Sequence, residues 1–404
     1  MTTSTAQRAT KKTIVCIDVG SSLSKVIYQV GDDIKYLLMQ PEHLALPPES
    51  APMLPLDSGL GFPEDNAWIR FKKDGDCHAV GRVAKDYKAF VNFKTLKSQI
   101  ATPKILAAIG VIAEREQLNE NFCLDLGVLL PWGEIQSREQ LEKELKAAMR
   151  SFYFRNRRLK VTLERFECVP EASGAAMWDA KYQAEFRTEN RAYLMFGHRN
   201  TSVLFFRKGT LSRSESSTTK LGFYDLIDKM RQKVPGLERE DVLNAIGSRL
   251  NRKYSYVYKA YEYEAPTTDL WWARLLPSTS SEKSIDQKAL LASAYSTSLK
   301  EYWLLLSNWL DSELPSMNEI DAVVRCGGVS ALLTAQIKQF FRYKLISVPD
   351  AYSSNVLKPL GLEDPKREQE YIEFTELNLH TRMVDAWGFF AIFSGYKKQT
   401  AEVV

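Results

Sequence analysis

The stretch Thr13 to Tyr28, TIVCIDVGSSLSKVIY, constrains this chain more than any other. Ile14 to Val19 is an apolar run broken only by Asp18, which predicts a buried strand. Gly20, Ser21 and Ser22 then make a tight turn, and Lys25 to Val30 a returning strand. A carboxylate at the end of a core strand is costly unless something polar or ionic meets it. Two readings meet that need. The backbone N–H groups of the Gly-Ser-Ser turn can wrap a phosphate there, or Asp18 caps its own turn in an ordinary hairpin.

The rest of the composition narrows the class. With 404 residues the chain has room for two or three domains. A net charge of +4 is too mild to argue for direct binding of nucleic acid. No apolar run approaches the ~18 residues needed to span a bilayer. The opening MTTSTAQRATKK has no apolar core, so residues 1–12 are expected to be a disordered tail and not a signal peptide. Cysteines 16, 77, 123, 168 and 326 are scattered without metal-ligand spacing, a pattern that fits reduced thiols in a cytoplasm.

Along the first half, Met39 to Glu64 is Pro-rich and predicts loop. Ala67 to Phe71 and His78 to Val80 predict short strands, and Gly81-Arg82-Val83-Ala84 a turn into helix. Lys104 to Arg115 has helical spacing, and Cys123 to Leu130 predicts a strand ending at Pro131. Ser137 and Gln140 have the spacing of a capping box for a helix to about Phe154, with Leu141, Leu145 and Met149 on one face. Lys160 to Val169 predicts another strand.

The second half starts again in the same manner. Arg191 to Phe206, RAYLMFGHRNTSVLFF, is strand, Gly turn, strand, with Gly197 where the first stretch has Gly20. A repeat of this kind implies two related domains. Before it stands Pro170-Glu171-Ala172-Ser173-Gly174-Ala175-Ala176, which predicts a helix opening on Pro with an acid in its first turn and small residues for close packing. Asp321 to Cys326 predicts a strand, followed by Gly327-Gly328-Val329-Ser330 and a helix from Ala331 to Phe341. Paired glycines there let a backbone approach a nucleotide, although the full GxGxxG of a dinucleotide site is absent. Asp385 to Phe390 opens a small-residue helix. The segment 251–309 carries Tyr254, Tyr256, Tyr258, Tyr261, Tyr263, Trp271, Trp272, Trp303 and Trp309. Interleaved with Arg252, Lys253 and Lys259, these rings suit base stacking, or they belong to a core or polymer interface. Ala289 to Leu310 predicts a long helix whose Tyr302, Leu305, Leu306 and Trp309 form a core face.

In this order the motifs resemble the actin-like ATPase superfamily over about residues 13–395. Asp18 to Ser22 looks like its first phosphate loop, Gly197 to Thr201 like the second, and Cys326 to Val329 like its adenosine loop. Pro170 to Ala176 and Ala386 to Gly388 look like the two connecting segments. PEASGA, His78 to Ala84, and Gly-His-Arg-Asn-Thr-Ser look most like the ParM/StbA group of bacterial and archaeal filament-forming proteins.

The resemblance implies an α/β fold of two domains, built from duplicated ribonuclease-H-like units with a nucleotide cleft between them. Residues 13–170 with 380–404 would be domain I, and 171–379 domain II. It implies ATP or GTP with magnesium, and Asp18 as the metal's carboxylate. Gly20, Ser21, Ser22 and Lys25 would take phosphates from one side, and Gly197, Asn200 and Thr201 from the other. Gly222 would border the ribose, and Gly327, Gly328 and Val329 would receive the nucleoside. Glu171, with Asp18, would be catalytic by orienting the attacking water.

One departure stands out: family members usually carry Asp two residues before the second loop's glycine, where this chain has Met195. His198 and Arg199 either contact phosphate in its place or are solvated turn residues. The implied role is nucleotide-dependent filament assembly in plasmid segregation. It would act through a small DNA-binding or membrane-binding adaptor docking near Gly174 to Trp178 and Met383 to Phe390, with no direct DNA or membrane binding. The alternatives are a cortical filament, or a small-molecule kinase of the same superfamily, which would need a carboxylate base that Met195 removes.

Overall fold

The computed structural model describes residues 12–56, 61–89, 95–239, 242, 282–342, 344–346, 360 and 379–396. The aromatic stretch from Tyr254 to Trp272 lies outside them. The chain divides into two compact units, Met1–Pro170 with Phe389–Val404, and Glu171–Gly388.

In the first unit, β1 (Thr13–Val19), β2 (Ser24–Val30) and β3 (Asp33–Met39) form an antiparallel meander. They are followed by β4 (His43–Leu46), β5 (Trp68–Arg70), β6 (Cys77–Val80), the short α1 (Arg82–Asp86) and α2 (Lys97–Arg115). Then come β7 (Asn121–Leu130), α3 (Arg138–Met149), β8 (Phe152–Phe154) and β9 (Arg157–Pro170). The sheet runs β3-β2-β1-β7-β9-β8-β5-β6-β4, with β1, β7 and β9 parallel. All seven residues of β1 are buried, as a central strand with a parallel neighbour requires, and this is why it reads as an apolar run. Helix α2 is buried on almost every side, and the absence of a side chain at Gly110 makes room for the ring of Phe154. Helix α3 is amphipathic and buries only Leu141, Leu145 and Met149.

The second unit holds α4 (Ser173–Tyr182), β10 (Asn190–Phe196), β11 (Thr201–Arg207), β12 (Thr210–Thr219) and α5 (Phe223–Lys233). After these come α6 (Glu282–Glu313), β13 (Ala322–Cys326), α7 (Thr334–Phe340) and β14 (Leu345–Ile346). Helix α8 (Leu379–Phe393) gives its residues up to Gly388 to this unit and its last turn to the first. The sheet order is β12-β11-β10-β13-β14, with β10 parallel to β13 and β13 parallel to β14. This is the order of β3-β2-β1-β7-β9 in the first unit, so the repeat seen in the hairpins extends to five strands of each sheet. Ala192, Leu194 and Phe196 of β10, Phe223 and Ile227 of α5, and Tyr302, Leu306 and Leu310 of α6 fill one core.

Several local expectations change. Pro170 ends β9 and does not open a helix; the chain turns through Ala172 in the left-handed region (φ 74°), and α4 starts only at Ser173. Glu171 therefore stands in the turn before the helix, not in its first turn. Ser137 makes no capping box. It closes a 3-10 turn over Trp132–Ser137, and its hydroxyl donates to the Glu134 carbonyl at 2.5 Å. Helix α3 stops at Met149 because Phe152–Phe154 pairs with β9 as a strand. Part of the expected 39–64 loop is strand β4, which pairs with β6. The segment after Gly328 is first a 3-10 turn, Gly328–Ala331, and becomes α-helical only at Thr334. Leu305 is 45% exposed, whereas Tyr302 and Leu306 are core. The proposed adaptor lining is not a free surface either: Ala175, Ala176, Trp178, Met383, Trp387 and Phe390 are all buried.

Candidate functional site

Within each unit, taken by itself, the predicted turns follow the carboxyl ends of parallel strands: β1 in the first, β10 and β13 in the second. That is the end at which open α/β sheets bind ligands. At the end of β1, Gly20 N–H donates to the Asp18 carbonyl at 2.9 Å and closes the turn. A Cβ on Gly20 would stand 2.1 Å from the Leu23 carbonyl oxygen, so only glycine fits. Asp18 and Lys25 face each other across the hairpin, and their side chains form a buried ion pair. Ser21 and Ser22 are the accessible members of this turn. Between them and Lys25 stands Ser24, buried, whose hydroxyl has no hydrogen-bond partner among the described residues.

The second turn closes in a related way, with Gly197 N–H donating to the Asn200 carbonyl at 2.9 Å. The carbonyls of Gly197 and His198 accept the N–H groups of Phe223 and Tyr224, so the turn caps the first turn of α5. Gly222 makes this contact possible: a Cβ there would lie 2.3 Å from the Arg199 carbonyl carbon. Thr201 is fully buried and donates to the Leu221 carbonyl at 2.8 Å. Asn200 is buried too, and its amide Nδ2 has no hydrogen-bond partner among the described residues.

His198 is neither a phosphate cation nor a solvated residue. Its ring is buried against Phe223, and burial, reinforced by Arg382 and Arg239, pushes its pKa down to about 3. A neutral imidazole brings no charge to a phosphate. Met195 occupies the position that Asp18 has in the first hairpin and pairs in register with Ser202, where Asp18 has Lys25. Its side chain lies under Gly327, with Sδ 3.0 Å from where a Cβ on that glycine would be.

Gly327 has φ 86°, and a Cβ on it would meet the Phe196 carbonyl oxygen at 2.4 Å. That contact lays the Gly327 to Val329 turn against the end of β10. Val329 points into the core, Gly328 stands half-buried over the Arg382 guanidinium, and Ser330 Oγ donates to the Gly327 carbonyl at 2.7 Å. Buried Arg325 fixes the far side through the Ser330 carbonyl (2.7 Å) and Thr334 Oγ1 (2.9 Å).

Glu171 is buried, 2% exposed, in the turn that follows β9. The turn is held by a residue that the sequence did not single out. The Asp385 carboxylate on α8 accepts the N–H of Ala172 (2.7 Å) through one oxygen, and those of Gly174 (2.7 Å) and Ala175 (3.3 Å) through the other. Ser24, Asp385 and Arg382 are the site neighbours missed from sequence. Asp385 and Gly388, three residues apart, were the available signal; the helix expected to open at Asp385 starts at Leu379, which puts both in its middle.

The donor set decides what these turns can hold. Among the described residues no three His, Cys, Asp or Glu side chains come together to hold a metal ion. Asp18 is a single carboxylate already engaged by Lys25. The turns suit an anion with many oxygens, and a magnesium ion fits only as that anion's partner, keeping its waters.

No family model and no curated protein matches the sequence. Solved structures do match. The apo ParM protein of pSK41 aligns over 96% of this chain and 100% of its own at 11% identity and TM-score 0.51. A ParM from Clostridium botulinum, solved as a 15-stranded filament, aligns over 96% and 100% at 12% identity and TM-score 0.55. The archaeal actin homologue Ta0583, solved in complex with ADP, aligns over 95% and 99% at 14% identity and TM-score 0.55. With the same five-strand order in both sheets, these likenesses show that the chain has the actin-like fold of the ParM kind.

Proposed function

We propose that this chain is a nucleotide-dependent filament protein that binds ATP or GTP with magnesium and hydrolyses it. One observation carries the reading. Beside each of the two turns a buried donor, Ser24 Oγ at the start of β2 and Asn200 Nδ2 in the second turn, has no protein partner among the described residues. Buried polar groups are almost always satisfied, so an unmet donor at each of two repeated turns fits a ligand rich in acceptor oxygens. Phosphate is such a ligand, and ADP is bound by the archaeal homologue of the same fold. In this reading Asp18, Gly20, Ser21, Ser22 and Lys25 serve phosphates and their magnesium from the first turn, and Gly197, Asn200 and Thr201 serve them from the second. Gly222 supports the second turn, and Gly327, Gly328 and Val329 receive the nucleoside. Glu171 orients the attacking water.

Self-association is supported by neighbours solved as filaments. Segregation of a plasmid through a DNA-binding adaptor, or cortical anchoring through a membrane-binding one, is the cellular use we propose for such a polymer. Sedimentation and electron microscopy of purified protein with ATP, with GTP, with ADP and without nucleotide test the assembly. Filaments with a triphosphate and none without nucleotide are expected; assembly indifferent to nucleotide overturns the reading. Pelleting those filaments with bare DNA and with lipid vesicles tests the need for an adaptor. Strong pelleting of either cargo without a second protein would show that the chain carries its own cargo site.

A further inference from the structure

The turn that carries Glu171 is unusual in two ways. Ala172, a residue with a Cβ, sits in the left-handed region at φ 74° and ψ −9°, a conformation that only glycine adopts without penalty. The peptide that joins Glu171 to Ala172 is itself pinned, because its N–H donates to Asp385 Oδ2 at 2.7 Å. The other oxygen of the same carboxylate holds the N–H groups of Gly174 and Ala175 in the first turn of α4. Asp385 is 1% exposed, so these are charge-assisted bonds away from water, and the positive end of the α4 dipole adds to them. Three residues on, Gly388 presses on the Gly174 backbone from the same face of α8.

We propose that Asp385 is a positioning residue for Glu171. By fixing the plane of the Glu171–Ala172 peptide and keeping Ala172 left-handed, the Asp385 carboxylate sets the direction in which the Glu171 side chain leaves the backbone. The inference rests on the reading of Glu171 as the water-orienting group and adds what holds that group in place. It also explains why Asp385 is kept buried in the middle of α8.

The test separates position from bulk structure. Asp385→Asn keeps the size of the side chain and one acceptor oxygen, but its NH₂ must face either Ala172 N–H or Gly174 N–H, donor against donor. Phosphate release by the full-length protein is expected to fall at least ~10-fold, with nucleotide affinity within ~3-fold of wild type. Ala172→Gly lets the turn adopt its left-handed form without help. The double variant Asp385→Asn/Ala172→Gly is therefore expected to recover at least half of the lost turnover, whereas Ala172→Gly alone changes little. Wild-type turnover in Asp385→Asn, or a double variant no better than Asp385→Asn, overturns the inference. Glu171→Ala, assayed beside them, isolates the underlying reading. If it turns over normally, Glu171 itself has been misassigned; if it is inactive while Asp385→Asn is not, only the positioning role fails.

Discussion

Gly388 and Gly174 meet backbone to backbone: a Cβ on Gly388 would stand 2.2 Å from the Gly174 carbonyl oxygen and 2.6 Å from its carbon. Neither partner is the tip of a flexible side chain, so no rotamer change relieves the clash. Gly388→Ala must push α8 off α4 and pull on the Asp385 bonds to the same turn. Overpacking of this kind costs about 1–3 kcal/mol, and rigid backbone on both sides favours the upper end. Urea denaturation is expected to show that loss, together with slower phosphate release. A variant with the wild-type midpoint would mean that the two helices slide freely here.

The hairpin turns were legible in the sequence because their chemistry is local. Asp18, Gly20 and the hydroxyl residues lie within a few positions of each other, and Gly197 repeats the pattern at the end of a second apolar strand. The Asp385 contact was not legible, since it joins residues 213 apart and an aspartate on a helix announces no partner. Strand β4 was hidden in Pro-rich sequence. Only its pairing with β6, which brings His43 opposite Val80, makes four residues a strand. Ser137 failed as a cap because a 3-10 turn already occupied its hydroxyl. Leu305 has the spacing of a core residue, but α6 buries Tyr302 and Leu306 and turns Leu305 outward. For Asp385, β4 and Leu305 tertiary packing overrode a local pattern; for Ser137 a competing local turn did.

Ser24 gives a prediction in which stability and binding move in opposite directions. Its hydroxyl is buried without a partner among the described residues, so Ser24→Ala removes a desolvated donor and leaves the shape almost unchanged. Loss of such a group is expected to be neutral or to stabilise the free protein by up to ~1 kcal/mol. If the hydroxyl meets a phosphate oxygen, the same substitution weakens nucleotide binding about 3- to 10-fold. Thermal melts and titration of a fluorescent nucleotide measure the two. Lower stability with unchanged affinity would make Ser24 an ordinary core serine.

Asp18 requires a gentler substitution than alanine. Removing one member of the buried Asp18–Lys25 pair leaves an uncompensated charge, which typically costs 3–5 kcal/mol. Asp18→Asn also leaves Lys25 without its counter-charge, but it keeps a hydrogen-bonding oxygen for the ammonium and removes the carboxylate on which the magnesium-bound nucleotide depends. Affinity for magnesium-ATP is expected to fall at least ~10-fold, and assembly to fail at concentrations where wild type polymerises. Equal affinity in the presence of magnesium would remove Asp18 from the site.

Glu171→Ala separates assembly from turnover. A water-orienting carboxylate contributes about 10²–10⁴-fold to such a step, so the variant should bind ATP and polymerise while phosphate release falls by at least ~10². Its filaments should outlast those of the wild type after nucleotide is depleted, which light scattering follows directly. Normal release would mean that another group activates the water, or that Met195 marks a site where no side chain does.

The histidines predict an acid limit for the fold. His43 and His78 stack with ring centroids 5.3 Å apart, His43 Nε2 lies 3.1 Å from His78 Nδ1, and Phe71 closes the pair from the edge. Burial first, then His78 and Lys104, push the pKa of His43 down to about 4, and burial lowers that of His78 despite the nearby Asp76. One ring must donate and the other accept, and burial of both rings favours the neutral pair in the folded form. An unfolded histidine takes up its proton near pH 6.5. Below that pH the unfolded chain therefore binds more protons than the folded one, and stability falls as pH falls, until His43 itself protonates near pH 4. At pH 5 the loss from His43 alone is about 2 kcal/mol, since each unit of difference is worth about 1.4 kcal/mol. Above pH 6.5 both states hold the ring neutral and the term vanishes. Hydrogen exchange across β4 and β6 at pH 7 and pH 5 reads the effect where it arises. Faster exchange at pH 5, after correction for intrinsic rates, is expected in wild type, and His43→Asn should lose most of that pH dependence. Equal protection of wild type at the two pH values would mean that the stacked pair accepts a proton without strain on the fold.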